Sequence, residues 1–98
     1  MATGTIPSQK AFIKKINGVQ QTGTINANAG AWIDVPFDLP VGYSPISISR
    51  VYVTGVGLVI YHFGLSTTSN AVTIAMRNIG SSAVAYTVDA SVGCIKVN

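Results

Sequence analysis

The sequence predicts a single all-β domain, an antiparallel β-sandwich of six to eight strands with a jelly-roll-like arrangement and a short amino-terminal helix or arm. The chain has 98 residues, the size of one domain. Hydrophobic residues make up 48 % of it and charged residues only 9 %, which excludes intrinsic disorder and a solvent-exposed coiled coil. Apolar residues recur at every second position in several segments, and turn-forming residues separate those segments.

The alternation is clearest in the second half of the chain. Val72, Ile74 and Met76 alternate with small or polar residues, and a longer run of the same kind extends from Val84 to Val92. Alternation rich in β-branched and aromatic residues is typical of strands with one buried face. With the turn-rich segments as boundaries, the predicted strands are Thr22–Ala27, Ala31–Asp38, Ile46–Thr54, Leu58–Leu65, Ala71–Asn78 and Ala83–Val97.

Two features of these strands predict where they lie. Pro36 lacks an amide hydrogen, so its strand is expected at a sheet edge or with a bulge. The run Val51–Phe63 is apolar at both parities. Either this run is central in the sandwich, or its outer face contacts another subunit.

Residues 1–21 are predicted to form an amino-terminal arm or short helix, and residues 22–98 the sandwich. Ser8 is suited to cap a helix, Phe12 and Ile16 would share one of its faces, and Gly18 would follow its end. The alternative for the same segment is a strand. In both cases three lysines and few apolar residues predict a segment packed on the outside of the domain.

The distribution of charge argues against nucleic-acid and membrane binding. The formal net charge is +3, but it comes from few charges without a basic motif: three lysines lie in the first fifth of the chain, and Arg50, Arg77 and Lys96 are scattered. The uncharged run from Val51 to Met76 is interrupted by glycines and a polar stretch, unlike a membrane-spanning helix. No secretory signal follows Met1. We expect a soluble protein, cytosolic when made, that neither binds nucleic acid nor inserts into a membrane.

Residues suited to catalysis or metal binding are scarce. His62 is the only histidine, and no known motif places a nucleophile or an orienting acid beside it. Asp34 and Asp38 would project from one strand about 13 Å apart, too far to share an ion. Cys94 stands alone in an apolar strand and is expected to be a buried, unreactive side chain. We expect no enzyme, no cofactor and no metal; a small hydrolase is the most remote functional hypothesis.

Two aromatic residues are candidates for ligand binding, Trp32 and Tyr43. Trp32 has the opposite parity to the apolar residues of its strand, so its ring is expected to face outward, where it could stack on a sugar. The alternative is that Trp32 packs against a neighbouring subunit or the amino-terminal arm. Tyr43 lies in a Gly-Tyr-Ser-Pro turn and could equally anchor that loop.

The second half of the chain carries a family resemblance. A Gly-Tyr-x-Pro turn at residues 42–45 precedes a strand through YVT at 52–54 and an apolar strand ending in YHFGL at 61–65. The segment VTIAMRNIGSSAVAYTVDASVGCIKVN follows at 72–98. A strand ending in Arg-Asn, a Gly-Ser-Ser turn and a long final strand resemble the carboxy-terminal modules of tail-fibre, baseplate and related appendage proteins of tailed bacteriophages and prophages. The similarity covers about residues 23–98.

This resemblance implies a β-sandwich, commonly trimeric, that builds a virion appendage or recognises the host surface. The implied partners are other virion proteins and a host cell-wall saccharide, and the implied location is the virion, after synthesis in the host cytoplasm. The second hypothesis is a stand-alone bacterial carbohydrate-binding domain. Flanking capsid, tail or lysis genes would favour the first, and glycosidase or transporter genes the second.

Composition predicts that the protein self-associates. A small domain has a high surface-to-volume ratio, yet this chain carries only six basic and three acidic residues. The face of Val51–Phe63 left out of the core would expose a contiguous apolar patch, which soluble monomers rarely do. We therefore expect a homo-oligomer, and the resemblance implies a trimer. The predicted interface consists of Val51, Val53, Val59, Tyr61 and Phe63 or their neighbours of opposite parity.

Overall fold

The computed structural model describes residues 13–97, which form seven β-strands and no helix. These strands build two antiparallel sheets with a shared core, so the predicted all-β sandwich is confirmed. The strands are β1 (Ile13–Asn17), β2 (Gln21–Ile25), β3 (Gly30–Pro36), β4 (Tyr43–Thr54), β5 (Leu58–Leu65), β6 (Ala71–Asn78) and β7 (Val84–Lys96).

Strand β7 organises the first sheet, which we call sheet A. With 13 residues, it is long enough to pair with β2 along its first half and with β1 along its second half. Strand β4 pairs with the other edge of β7. The second sheet, sheet B, has the order β3-β6-β5. Each sheet therefore has one central strand, β7 or β6, whose two edges are both paired.

The core lies between the sheets and consists of alternate residues of the strands. Val35, Ile74 and Met76 of sheet B and Val88 and Val92 of sheet A have no exposed surface. Burying an apolar side chain of this size stabilises a fold by about 1.5–3 kcal/mol relative to leaving it exposed. The period-two pattern therefore identifies the inward-facing residues of β3, β6 and β7 correctly.

Most predicted strand boundaries lie within a few residues of the observed ones. Leu58–Leu65 and Ala71–Asn78 are confirmed residue for residue. Strand β3 is at an edge of sheet B, as Pro36 predicts. The Pro36 carbonyl accepts a hydrogen bond from the Val19 amide at 2.7 Å, so the connection between β1 and β2 reaches the end of this edge strand.

The segment predicted as a helix or arm contains strand β1. Ile13–Asn17 pairs with β7, so the alternative of a strand is the correct one for these residues. Ile16 lies opposite Val92 and packs against the core. The physical reason is the length of β7, because its second half would otherwise present an unpaired edge. The part of the predicted helix before residue 13 lies outside the described residues.

The run Val51–Phe63 is not central in the sandwich. It contains the end of β4 and most of β5, and each of these is an edge strand of its own sheet. The turn at residues 55–57 carries the chain from sheet A to sheet B, so the two edges lie on the same side of the molecule. The interpretation that this apolar run is central in the sandwich is therefore wrong. Its contact with another subunit stays a prediction.

A buried asparagine at the end of β6 ties the two sheets together. The Asn78 side chain is fully buried, and its amide nitrogen donates to the Ile25 carbonyl of β2 at 3.0 Å and to the Ser82 carbonyl at 2.8 Å. Its Oδ1 accepts a 2.9 Å hydrogen bond from the Gly80 amide. One side chain thus fixes the turn between β6 and β7 and links sheet B to the edge of sheet A.

Candidate functional site

Three aromatic rings meet on the outer face of sheet B. The Trp32 and Tyr61 ring centroids lie 6.5 Å apart with an interplanar angle of 83°, an edge-to-face contact. The Trp32 and His62 centroids lie 5.7 Å apart at 53°. Trp32 is 64 % exposed and Tyr61 57 % exposed, so both rings present large surfaces to solvent. We call Trp32, Tyr61 and His62 the aromatic face.

The strand register places these rings together over a small central residue. Ala75 of β6 lies opposite Trp32 of β3 on one side and His62 of β5 on the other. Ala75 has no exposed surface, although it belongs to the outer face. Because a methyl group fills little space, the rings of the flanking strands close over it. The edge-to-face arrangement holds Trp32 in place and contributes about 0.5–1.5 kcal/mol beyond the area it buries.

An irregularity in β5 puts two consecutive rings on the same side of the sheet. The register shifts between Ile60 and His62, with Tyr61 as the extra residue. In a regular strand, Tyr61 and His62 would point to opposite faces. The bulge lets both contact Trp32, which the period-two pattern could not predict.

Polar side chains border the aromatic face. Asp34 follows Trp32 on the same face of β3, and its Oδ1 accepts a 2.8 Å hydrogen bond from the Thr73 hydroxyl. Arg77 is exposed two positions beyond Ala75 on β6. A strand rises about 3.3 Å per residue, so the Cα atom of Asp34 lies about 7 Å from that of Trp32 along β3, and the Cα atom of Arg77 lies equally far from that of Ala75 along β6. The face therefore combines an apolar platform with one hydrogen-bond acceptor and one donor group.

The two residues predicted to bind a ligand lie on different sheets. Trp32 faces outward, as its parity predicts. Tyr43 begins β4 of sheet A, is half-buried and packs against the core. The Lys14 ammonium lies 5.8 Å from the centre of its ring, and the Tyr43 amide closes the preceding turn onto Pro40. Trp32 and Tyr43 do not form a common site.

The residues predicted to form an interface are also divided between faces. Val51 and Val53 point inward and pack against the core, whereas Val59 and Tyr61 are exposed on the outer face of sheet B. A single outer face does not form because the turn at residues 55–57 carries the chain from sheet A to sheet B. In addition, β4 is irregular between Ile48 and Arg50, which turns Val51 towards the core. Their contact with another subunit stays a prediction.

Phe63 occupies a third position, at the open side of the sandwich between β4 and β5. It has the inward parity, opposite Ile74, yet 51 % of its surface is exposed. A cleft of about 390 Å³ opens here between the two edge strands. Its lining comprises Ile48, Ser49, Arg50, Val51, Ile60 and Phe63.

The remaining candidate groups have simpler environments. Cys94 is buried in the core, as predicted, and burial raises the pKa of its thiol above the ordinary value. Within residues 13–97, no group of three His, Cys, Asp or Glu side chains is arranged to hold a metal ion. No helix in that part of the chain is long and apolar enough to cross a membrane.

Comparison with known proteins adds no relative. No protein-family profile, no curated protein and no solved structure matches this chain significantly. The aromatic face is therefore interpreted from its own geometry.

Proposed function

We propose that this protein is a non-enzymatic recognition module that binds a saccharide of the bacterial cell surface through its aromatic face. The observation that carries the proposal is Trp32, which is 64 % exposed and yet held against Tyr61 and His62. A cluster of rings on an otherwise solvated sheet is costly to expose unless it has a partner.

A sugar has the chemistry that matches this face. The C–H groups on one side of a pyranose ring are apolar and weakly positive, and the face of an aromatic ring is negative. Stacking on Trp32 would leave the sugar hydroxyls free to donate to Asp34 and to accept from Arg77. The three rings already contact one another and cover Ala75, so binding a sugar would require little movement of these side chains.

The proposed setting is a virion appendage of a tailed bacteriophage or prophage. This part of the proposal rests on the sequence resemblance over residues 23–98, with which the all-β fold agrees. The alternative is a stand-alone bacterial carbohydrate-binding domain, for which the same aromatic face would serve. The genes that flank the coding sequence distinguish the two.

Binding to an array of purified bacterial surface polysaccharides tests the recognition function. We expect saturable binding that weakens about tenfold or more in Trp32→Ala and less in Trp32→Phe, because phenylalanine keeps a ring for stacking. Ile79→Ala is the matched control, since Ile79 is a similarly exposed apolar residue away from the aromatic face. Unchanged binding by Trp32→Ala, or no binding to any polysaccharide of the array, would contradict the proposal.

We also propose that the β4–β5 side contacts a second copy of the chain. The supporting observations are the outer edges of β4 and β5, which pair with no other strand within residues 13–97, the half-exposed Phe63 and the absence of charged residues from Leu58–Leu65. A trimer is the form implied by the resemblance. Light scattering coupled to gel filtration should show an oligomer that Phe63→Asp dissociates. A single species of 10.2 kDa for the unmodified chain would refute self-association.

A further inference from the structure

The outer face of sheet A contains a polar cleft that shares no residue with the aromatic face. Its volume is about 310 Å³, at the lower end of the 300–1,000 Å³ typical of small-molecule sites. Strands β4 and β7 and the connection between β1 and β2 form its walls. Its lining comprises Asn17, Gly18, Gln20, Arg50, Asp89, Ala90 and Ser91, and we call this site the polar cleft.

The floor of the polar cleft is fixed by hydrogen bonds. Ser91 lies opposite Asn17 on one side and Arg50 on the other, and is only 4 % exposed. Its hydroxyl donates a 3.0 Å hydrogen bond to Asn17 Oδ1, which orients the Asn17 amide nitrogen away from the floor as a donor. The Gly18 amide donates to the Ala90 carbonyl at 2.8 Å and closes the end of the cleft.

Two charged side chains of opposite sign line the same cleft. Asp89 is half-buried on β7, and Arg50 projects from β4 with its guanidinium 5.0 Å from the centre of the Tyr52 ring. Tyr52 lies opposite Asp89 in the register. An anionic ligand would meet the Asp89 carboxylate, and a cationic ligand would meet Arg50. A neutral ligand with several hydroxyl groups can donate to Asp89 and accept from Arg50, Asn17 and other amides.

We propose that the polar cleft is a second saccharide site, which takes one neutral sugar unit by hydrogen bonding rather than by stacking. The cleft and the aromatic face lie on opposite outer faces of the sandwich, so one module presents two sites that point apart. Two weak sites bind a polymeric glycan more tightly than either site alone when one polymer reaches both. The proposal depends on none of the residues of the aromatic face.

Amide shifts of the ¹⁵N-labelled chain, titrated with the neutral methyl glycosides of glucose, galactose and N-acetylglucosamine, test the site. We expect at least one glycoside to shift the amide signals of Gly18, Ala90 and Ser91. Asp89→Ala and Arg50→Ala should each weaken that binding about tenfold, and Arg50→Lys less, because lysine keeps the charge without the planar fork. Arg50 is exposed and Asp89 half-buried, and the remaining amide signals report whether each variant is folded.

Trp32→Ala is the control that separates this proposal from the function proposed for the aromatic face. The variant should leave the shifts at the polar cleft unchanged while it removes those at the aromatic face. If no glycoside shifts the cleft amides, or if Trp32→Ala removes those shifts, the second site does not exist. If glucuronate or glucosamine binds the cleft more tightly than the neutral glycosides, the assignment to a neutral sugar is wrong.

Discussion

The two outer faces of this sandwich are built on the same plan and expose opposite chemistry. Each has a small residue at the middle of its central strand, Ala75 on β6 and Ser91 on β7. Larger side chains flank it on both neighbouring strands. On sheet B the flanking Trp32 and His62 rings contact each other across Ala75 and cover it completely. On sheet A the flanking groups are polar and a cleft remains.

The difference arises from what the flanking side chains contact. Trp32 and His62 are aromatic rings that gain from mutual contact, and they close over the alanine. Asn17 is held down by Ser91, and Arg50 lies against Tyr52 on its own strand, so neither covers the space between them. A common core therefore supports a surface of aromatic rings on one side and a polar cleft on the other.

Replacing Asn78 should destabilise both sheets at once, because its side chain joins the end of sheet B to the edge of sheet A. Asn78→Ala leaves the Ile25 carbonyl without this partner in a buried environment and the Gly80 amide without its partner in a partly buried one. We expect a loss of about 3 kcal/mol in the free energy of unfolding, measured by urea denaturation. Binding at both outer faces should persist wherever the variant remains folded.

Two further variants show which hydrogen bonds of Asn78 matter. Asn78→Asp keeps the acceptor for Gly80 but cannot donate to the two carbonyls, so we expect it to be destabilised at least as much as Asn78→Ala. Asn70→Ala, at an exposed turn residue, should change the stability by less than about 0.5 kcal/mol. A loss below about 1 kcal/mol in Asn78→Ala would mean that the sheets do not depend on this link.

The sequence predicts the parts of the molecule that follow local periodicity. Strands β5 and β6 have the predicted bounds, Trp32 faces outward, and Cys94 is buried. Each of these follows from the parity or the turn chemistry of neighbouring residues. For strand β1 the local pattern does not decide between helix and strand, because its pairing depends on the spare length of β7 near the other end of the chain.

Local periodicity fails where a strand is irregular or where a site is assembled from distant segments. The register shift beside Tyr61 brings His62 to the face of Trp32 and Tyr61 and turns Phe63 inward, and the shift beside Ser49 turns Val51 into the core. No turn signal marks either shift in the sequence. The polar cleft brings Asn17 together with residues of β4 and β7, and no motif links these segments.

Gly18 offers a way to disturb the polar cleft without touching the aromatic face. A Cβ at this position would lie 2.6 Å from Val35 Cγ1 and 2.9 Å from the Ala90 carbonyl oxygen. Neither can move easily, because Val35 is fully buried and stiff and Ala90 belongs to the central strand. Gly18→Ala should therefore cost about 2 kcal/mol of stability and displace Asn17 from the cleft.

Gly23→Ala is the matched control for this prediction, because it is a second crowded glycine of the same sheet. Its Cβ would lie 2.5 Å from the Tyr86 Oη and 2.7 Å from Cζ, so the half-buried ring would have to shift, but no backbone atom is in the way as at Gly18. Alanine loses less conformational entropy on folding than glycine, and this offsets part of the free-energy cost of moving the ring. We therefore expect a free energy of unfolding within about 1 kcal/mol of that of the unmodified chain. Urea denaturation measures both variants, and glycoside titration then compares the two faces. If Gly18→Ala were as stable as Gly23→Ala and still bound the glycoside at the polar cleft, the connection between β1 and β2 would not determine the shape of the polar cleft.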